Sequence, residues 1–149
     1  MSFATLSLKG RALRLLGGRE HSRFELERKL ARHEQEPGEL ARTLDDLQAK
    51  GFISERRVIE SVLYRHAAKL GTARITQELQ DKGLAGAAIT AALTDLQQTE
   101  HERALTLWQQ KFGTPPADVQ AAARQMRFLS ARGFGADAIR RIIKVPASS

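Results

Sequence analysis

The sequence predicts an all-α protein made of three tandem three-helix repeats, helix-turn-helix-like modules that form an elongated, curved array. Three stretches align without a gap in a register of about fifty residues, and each has apolar residues ten and then four positions apart. The aligned positions are Leu30, Leu40 and Leu44; Leu79, Ile89 and Leu93; and Leu129, Ile139 and Ile143. Only 5% of the residues are aromatic, and no segment shows the strict alternation of a β-strand. Arrays of this kind present a long binding surface.

The first repeat is predicted over residues 1–53, with helices over 7–17, 22–33 and 37–50. Ser22 and Glu25 have the spacing of a capping box, in which each side chain accepts a hydrogen bond from the other residue's backbone. A helix is therefore expected to begin near Ser22. Pro37 is placed in the first turn of the third helix, where proline is tolerated, and Gly51 ends that helix.

The second repeat is predicted over residues 54–98, with a helix over 55–70, a second helix that has Ile75 and Leu79 as its core positions, and a third helix over 87–97. Gly71 is a natural C-terminal stop for the first of these helices, and Thr72 is expected to cap the second. A short turn with a glycine at each end, residues 83–86, leads into the third helix.

The third repeat is predicted over residues 99–149, with helices over 100–112, 118–132 and 136–144. The pair Pro115-Pro116 cannot lie inside a helix, so it separates the first two helices of this repeat. The tail over 145–149 is expected to fray.

Charge is concentrated at the two ends of the chain. The net charge is +7, divided as +3 over residues 1–57, zero over 58–98 and +4 over 99–149. A basic surface favours contact with a polyanion, either a nucleic acid or an acidic protein surface.

Composition also indicates a compartment. The chain has no cysteine, which fits a reducing compartment, and its first residues lack the charged start and apolar stretch of a signal peptide. No segment approaches the ~20 apolar residues of a membrane span. We expect a cytoplasmic protein with no membrane contact.

Residues that could carry out catalysis or bind a cofactor do not converge in the sequence. The histidines, His21, His33, His66 and His101, have no metal-ligand spacing, and the close acidic groups lie beside helix ends or on polar faces. The glycine-rich stretches do not match a phosphate-binding loop. The sequence predicts no enzyme, no metal site and no cofactor.

Arginine and lysine side chains are therefore the candidate binding residues, because the guanidinium fork suits both phosphate and carboxylate. Several of them cluster on single predicted helices, where they could equally be a solvated helix face. The candidates for partner or DNA binding are Arg23, Arg28, Lys29, Arg32, Arg74, Arg124, Arg127, Arg132, Arg140, Arg141 and Lys144.

Several motifs resemble the RecX family of recombinase regulators. They are the stretches 12–16 and 22–30, the run Gly51-Phe52-Ile53-Ser54-Glu55, the run from Gly71 to Leu84, and the run from Arg127 to Phe134. Together they span residues 8–144 in the family's order. One departure is the stretch Arg57-Val58-Ile59, where the family usually has an acidic residue followed by an aromatic residue and alanine, so no role is assigned there.

The resemblance implies a monomeric, cytoplasmic and non-enzymatic protein of tandem three-helix repeats. Such a protein would bind in the groove of the RecA–DNA filament, inhibit its ATPase, strand-exchange and coprotease activities, block its growth, and so modulate DNA repair, recombination and the SOS response. It allows a weak, non-specific contact with DNA. The alternative function is a stand-alone basic DNA-binding module of the helix-turn-helix type, which would bind DNA without the recombinase.

Overall fold

The computed structural model describes residues 6–147, and this part of the chain is helical without any strand, which confirms the predicted fold class. The elements are α1 (Leu8–Gly18), α2 (Arg23–Leu30), a 3₁₀ turn (Ala31–His33), α3 (Glu39–Ala49), α4 (Glu55–His66), α5 (Thr72–Asp81), α6 (Ala87–Lys111), α7 (Val119–Ala131) and α8 (Ala136–Ile142). Most of the N-terminal stretch tested for a signal peptide, and the last two residues of the predicted frayed tail, lie outside the described residues.

Three separate clusters of buried side chains define three modules. The first includes Leu8, Leu26 and Leu44, the second Val62, Ile75 and Leu96, and the third Ala104, Leu129 and Ile139. The accessible surface is 9580 Å², against about 7,600 Å² for a compact protein of this mass. The modules are therefore arranged as an extended array. The boundaries at 53/54 and 98/99 stay predictions, and the second falls inside α6.

The predicted capping box is present, but the start of the third helix differs from the prediction. Ser22 Oγ accepts from the N–H of Glu25 at 3.1 Å, and the Glu25 carboxylate accepts from the N–H of Ser22 at 3.0 Å. Pro37 lies in the turn before α3 and not in its first turn. Gly38 follows it with a φ of 86°, a left-handed conformation that redirects the chain before α3 begins at Glu39.

The predicted roles of Gly71 and Thr72 are wrong. α4 ends at His66, and Gly71, with a φ of −79°, stands at the N-cap position of α5. Thr72 is the first residue of α5 and not its cap. Its N–H donates to the carboxylate of Glu100 at 2.7 Å. A side chain from another helix thus satisfies the backbone group that a local cap would have satisfied.

The predicted break between the helices over 87–97 and 100–112 is also wrong, because α6 runs without interruption from Ala87 to Lys111. The sequence between the two copies contains neither glycine nor proline, so nothing in it ends a helix. Leu96 on this helix belongs to the second core and Ala104 to the third. A single helix therefore joins the second and third modules.

Neighbouring modules meet at joints that repeat along the chain. In the repeat alignment Ser22 corresponds to Gly71, and Lys82 corresponds to Arg132. Ser22 Oγ donates to the carbonyl oxygen of Lys82 at 2.6 Å, and the N–H of Gly71 donates to that of Arg132 at 2.7 Å. The start of the second helix of one module thus contacts the end of the second helix of the next.

The second joint has an additional half-buried network centred on Arg103 of α6. Its guanidinium donates to the carbonyl oxygens of Ala67, Leu70 and Leu96 at 2.6–2.9 Å and to the Thr72 hydroxyl at 3.2 Å. Burial lowers the pKa of Arg103, although the charge of Glu100 opposes the shift. An arginine stays charged at neutral pH nonetheless, so this network ties α6 to the loop before α5 through charge-assisted hydrogen bonds.

Candidate partner-binding surface

A groove in the first module is lined by basic side chains from α1, α2 and the 3₁₀ turn. We call it the first-module groove; its volume is about 640 Å³, and its lining residues are Leu6, Arg11, Arg14, Leu15, Arg28, Lys29, Leu30, Ala31, Arg32 and His33. None of these residues is acidic. The groove therefore combines an aliphatic floor with a cationic rim, an arrangement suited to an anionic partner.

The pKa values of two histidines respond to the cations of this groove: His33, which lines it, and His21, which contacts its Lys29. Desolvation and the charges of Arg11 and Arg32 lower the pKa of His33, so positive charge is concentrated here. His21, behind the groove, is only 2% exposed, and burial lowers its pKa as well. Lys29 Nζ lies 3.0 Å from His21 Nε2, and His21 Nδ1 lies 3.1 Å from the carbonyl oxygen of Arg19. These contacts require a neutral imidazole, in which Nδ1–H donates to the carbonyl oxygen of Arg19 and Nε2 accepts from Lys29. The hydrogen bond holds the Lys29 side chain in place.

A second basic groove lies between the second and third modules. We call it the inter-module groove; its volume is about 660 Å³, and its lining residues are His66, Lys69, Leu70, Arg74, Leu107, Gln110, Lys111, Phe128 and Arg132. None of these residues is acidic either. Like the first-module groove, this groove is lined by residues from the first and second helices of one module, here α6 and α7. Residues from α4, α5 and the loop between them form the rest of its lining.

Phe128 forms the aromatic part of the floor of the inter-module groove. The Arg132 guanidinium lies over its ring at 4.1 Å from the centroid, and Lys111 Nζ lies over it at 5.5 Å. Phe112 meets the ring edge-on, with centroids 5.4 Å apart. The two cation–ring contacts hold Arg132 and Lys111 in place through the ring quadrupole, and the edge-on contact with Phe112 fixes the ring itself.

The matching position in the second module is occupied by an ion-pair cluster. Glu78 of α5 corresponds in the repeat to Lys29 in the first module and to Phe128 in the third. Its carboxylate lies 3.2 Å from His66 Nε2 and 3.6 Å from a guanidinium nitrogen of Arg65. Arg65 of the middle module is thus paired within that module, whereas Lys69 and Arg74 of the same module line the inter-module groove.

The predicted binding residues fall into three groups. Arg28, Lys29 and Arg32 line the first-module groove, and Arg74 and Arg132 line the inter-module groove. Arg124, Arg127, Arg140, Arg141 and Lys144 are exposed at the third-module end and line neither groove. Arg23 instead forms ion pairs within the first module, at 3.1 Å to Glu27 and 2.6 Å to Asp45, which together raise its pKa.

Sequence reasoning missed several lining residues of both grooves. Arg11 and Arg14, three positions apart on α1, face the first-module groove, and Lys69 and Lys111 extend the rim of the inter-module groove. The spacing of Arg11 and Arg14 was a usable signal, since residues three apart share a helix face. Lys69 and Lys111 are 42 positions apart in the sequence, and only the packing of the modules brings them to one groove.

Within residues 6–147, no group of three or more histidine, aspartate or glutamate side chains is placed to hold a metal ion. None of the helices there has the length and apolar character needed to cross a membrane.

Comparisons with known proteins agree with one another. A family model described as the first three-helix domain of RecX matches residues 9–47, and one described as the third matches residues 98–143. The chain is 54% identical to a regulatory protein RecX of Leptothrix cholodnii, over 94% of this chain and 89% of that protein. It is 45% identical to a regulatory protein RecX of Ralstonia nicotianae, over 93% and 87%.

A solved structure shares the fold. The crystal structure of RecX from Lactobacillus salivarius superposes with a TM-score of 0.73 and covers 91% of each chain. At 20% sequence identity this similarity supports the arrangement of the helices alone.

Proposed function

This chain belongs to the RecX family of regulatory proteins, and on that premise we propose that it is a negative regulator of the RecA recombinase. The protein binds the groove of the RecA–DNA filament as a monomer in the cytoplasm. Its occupancy there lowers ATP hydrolysis, strand exchange and coprotease activity and blocks filament growth, which modulates DNA repair and recombination. It acts by steric and allosteric contact and performs no catalysis.

The observation that carries the proposal is the pair of cationic grooves in different modules of an extended array. A helical filament presents the same surface on successive protomers, so two separated cationic sites can engage two protomers at once. Linked weak contacts strengthen each other through effective concentration, by as much as 10²–10⁴. The pairing of Arg65 with Glu78 leaves the two grooves as the principal cationic contacts.

The first experiment measures single-strand-DNA-dependent ATP hydrolysis by RecA of the same organism while this protein is titrated in. We expect loss of hydrolysis at far less protein than recombinase, which favours blocked growth or disassembly over one-to-one masking. As a control, the variant Arg42→Glu/Arg56→Glu changes exposed charges outside both grooves and should inhibit as the wild type does. Undiminished hydrolysis at an excess of folded protein would reject the function.

A second candidate function, a stand-alone DNA-binding module, is favoured by the first-module groove alone. Its five arginine and lysine side chains face a common space without a carboxylate, which also suits a phosphodiester backbone. Affinity for bare DNA would then fall steeply with salt concentration and would not require the recombinase. Salt-sensitive DNA binding without any effect on RecA hydrolysis would favour this candidate.

A further inference from the structure

The inter-module groove differs from the first-module groove in having an apolar aromatic ring, that of Phe128, among its lining residues. Leu70, Leu107 and Phe128 are half-buried there, whereas Lys69 and Lys111 on the rim are exposed. A volume of about 660 Å³ falls in the range of sites that enclose small ligands. An apolar floor below a cationic rim selects a ligand that has both an apolar group and negative charge.

Phe128 is poorly placed for stacking on a nucleobase. The Arg132 guanidinium already lies over the ring at 4.1 Å, and the Lys111 ammonium lies over it at 5.5 Å. Single-stranded nucleic acids gain their affinity largely from bases stacked on open aromatic faces. The ring instead contributes apolar contact area and holds two cations, which favours an acidic polypeptide over a nucleic acid.

The groove is formed before any ligand arrives. Arg74 donates to the carbonyl oxygen of Ala131 at 2.8 Å, which uses one of the five N–H donors of its guanidinium and orients the rest. The hydrogen bond from Gly71 to Arg132 holds α5 against the end of α7. Because the walls come from two joined modules, little conformational entropy is lost on binding.

We propose that the inter-module groove binds an extended acidic peptide segment with one apolar side chain. The apolar side chain occupies the floor between Leu107 and Phe128, and carboxylates on either side of it contact Lys69, Lys111 and Arg74. The inference rests on the proposed function, since the recombinase filament would present this segment. It identifies the ligand class of one of the two grooves.

Fluorescence anisotropy tests the proposal on the intact chain without the recombinase. The probe is a labelled synthetic peptide of Asp and Glu residues around one central Leu; the comparison probes replace the Leu by Ser, or the acids by Asn and Gln. We expect Lys69→Glu/Lys111→Glu to weaken binding of the first probe by at least about tenfold. The variant Lys69→Gln/Lys111→Gln should give an intermediate loss, and the control Arg42→Glu/Arg56→Glu should give less than a twofold change.

Three results would overturn the inference: no binding of the first probe, equal binding of all three peptides, or tighter binding of a single-stranded oligonucleotide that the same lysine variants abolish. The last would assign the groove to nucleic acid. Failure of the peptides while RecA hydrolysis is still inhibited would reject this inference and leave the proposed function standing. Peptide binding without inhibition of RecA would reject the function and leave the groove's ligand class standing.

Discussion

The main-chain N–H of Gly71 donates a hydrogen bond to the carbonyl oxygen of Arg132 at 2.7 Å, across the contact between the second and third modules. A Cβ atom at Gly71 would lie 2.2 Å from the carbonyl carbon of Gly133, so the two main chains meet where no side chain fits. The same contact places Arg74 and Arg132 on one groove. Two glycines thus fix the geometry of a surface that charged side chains line.

The variant Gly71→Ala is expected to lower the free energy of unfolding by about 3 kcal/mol, because the added methyl group must displace backbone and not a flexible side chain. Urea denaturation followed by circular dichroism measures the change. Gly17→Ala is the matched control: its Cβ meets nothing within 4 Å, and replacing a helical glycine should raise stability by about 0.5–1 kcal/mol. Equal stability of Gly71→Ala and wild type would contradict the close approach.

Glu100 of α6 caps two helices from two modules. One carboxylate oxygen accepts from the N–H of Thr72 at 2.7 Å, and the other accepts from the N–H of Gly135 at 3.3 Å. Glu100→Ala should therefore cost about 2 kcal/mol of unfolding free energy, about one for each lost cap. Glu102→Ala removes the same charge from an exposed position on the same helix and should change stability by less than about 0.5 kcal/mol. Similar values for the two variants would refute the capping role.

The pH dependence of stability is expected to reflect Glu25. Burial alone would raise its pKa, but hydrogen bonds from Arg19 and from the N–H of Ser22, with the charge of Lys82, lower the pKa to about 2. A carboxyl group whose pKa is lower in the folded state contributes stability above its unfolded value near 4.5 and loses it as pH falls towards 2. Its contribution at neutral pH should be about 2–3 kcal/mol, with the partial exposure of Arg19 discounted.

Urea unfolding of wild type and Glu25→Gln at a series of pH values from 7 to 3 isolates this contribution. The difference between the two proteins should be largest at neutral pH and shrink below about pH 4.5. Subtracting the variant removes the titrating groups that do not interact with Glu25. Burial lowers the pKa of His21, which also reduces stability as pH falls below 6.5, and the charge of Glu25 opposes this shift, so part of the His21 contribution stays in the difference. A constant difference between wild type and Glu25→Gln over this pH range would exclude the assignment.

Charge reversal should separate filament binding from folding. The change Arg124→Glu/Arg127→Glu/Arg140→Glu/Arg141→Glu is expected to raise the concentration needed for half-inhibition of RecA hydrolysis by at least about tenfold. All four side chains are exposed, and the exposed ion pair of Arg140 with Asp137 contributes little stability, so the variant should still fold. Arg11→Glu/Arg14→Glu in the first-module groove should have an effect in the same direction. Unchanged inhibition by the folded fourfold variant would exclude the third-module end from the contact.

Local signals in the sequence predicted most of the helices. The capping box at Ser22 and the proline pair at 115–116 act over a few residues, so the start of α2 and the gap between α6 and α7 could be read directly. Repeat symmetry predicts a break in α6, whereas the lack of any helix-breaking residue near Thr99 agrees with the continuous helix. The position of Thr72 in α5 is not visible locally either, since the partner of its N–H, Glu100, is 28 positions away.

The sequence by itself determined the all-α class, the threefold apolar register and the excess of basic residues at the two ends, because periodicity and charge are properties of single segments. Only the tertiary structure decided which cations face a common groove and which are paired within the fold. Arg23 and Arg28 lie on one short helix, yet the first pairs with Asp45 and the second lines a groove. The difference between Arg23 and Arg28 depends on which helix packs beside each residue. Segments distant in sequence determine that packing, in part through the joints between modules.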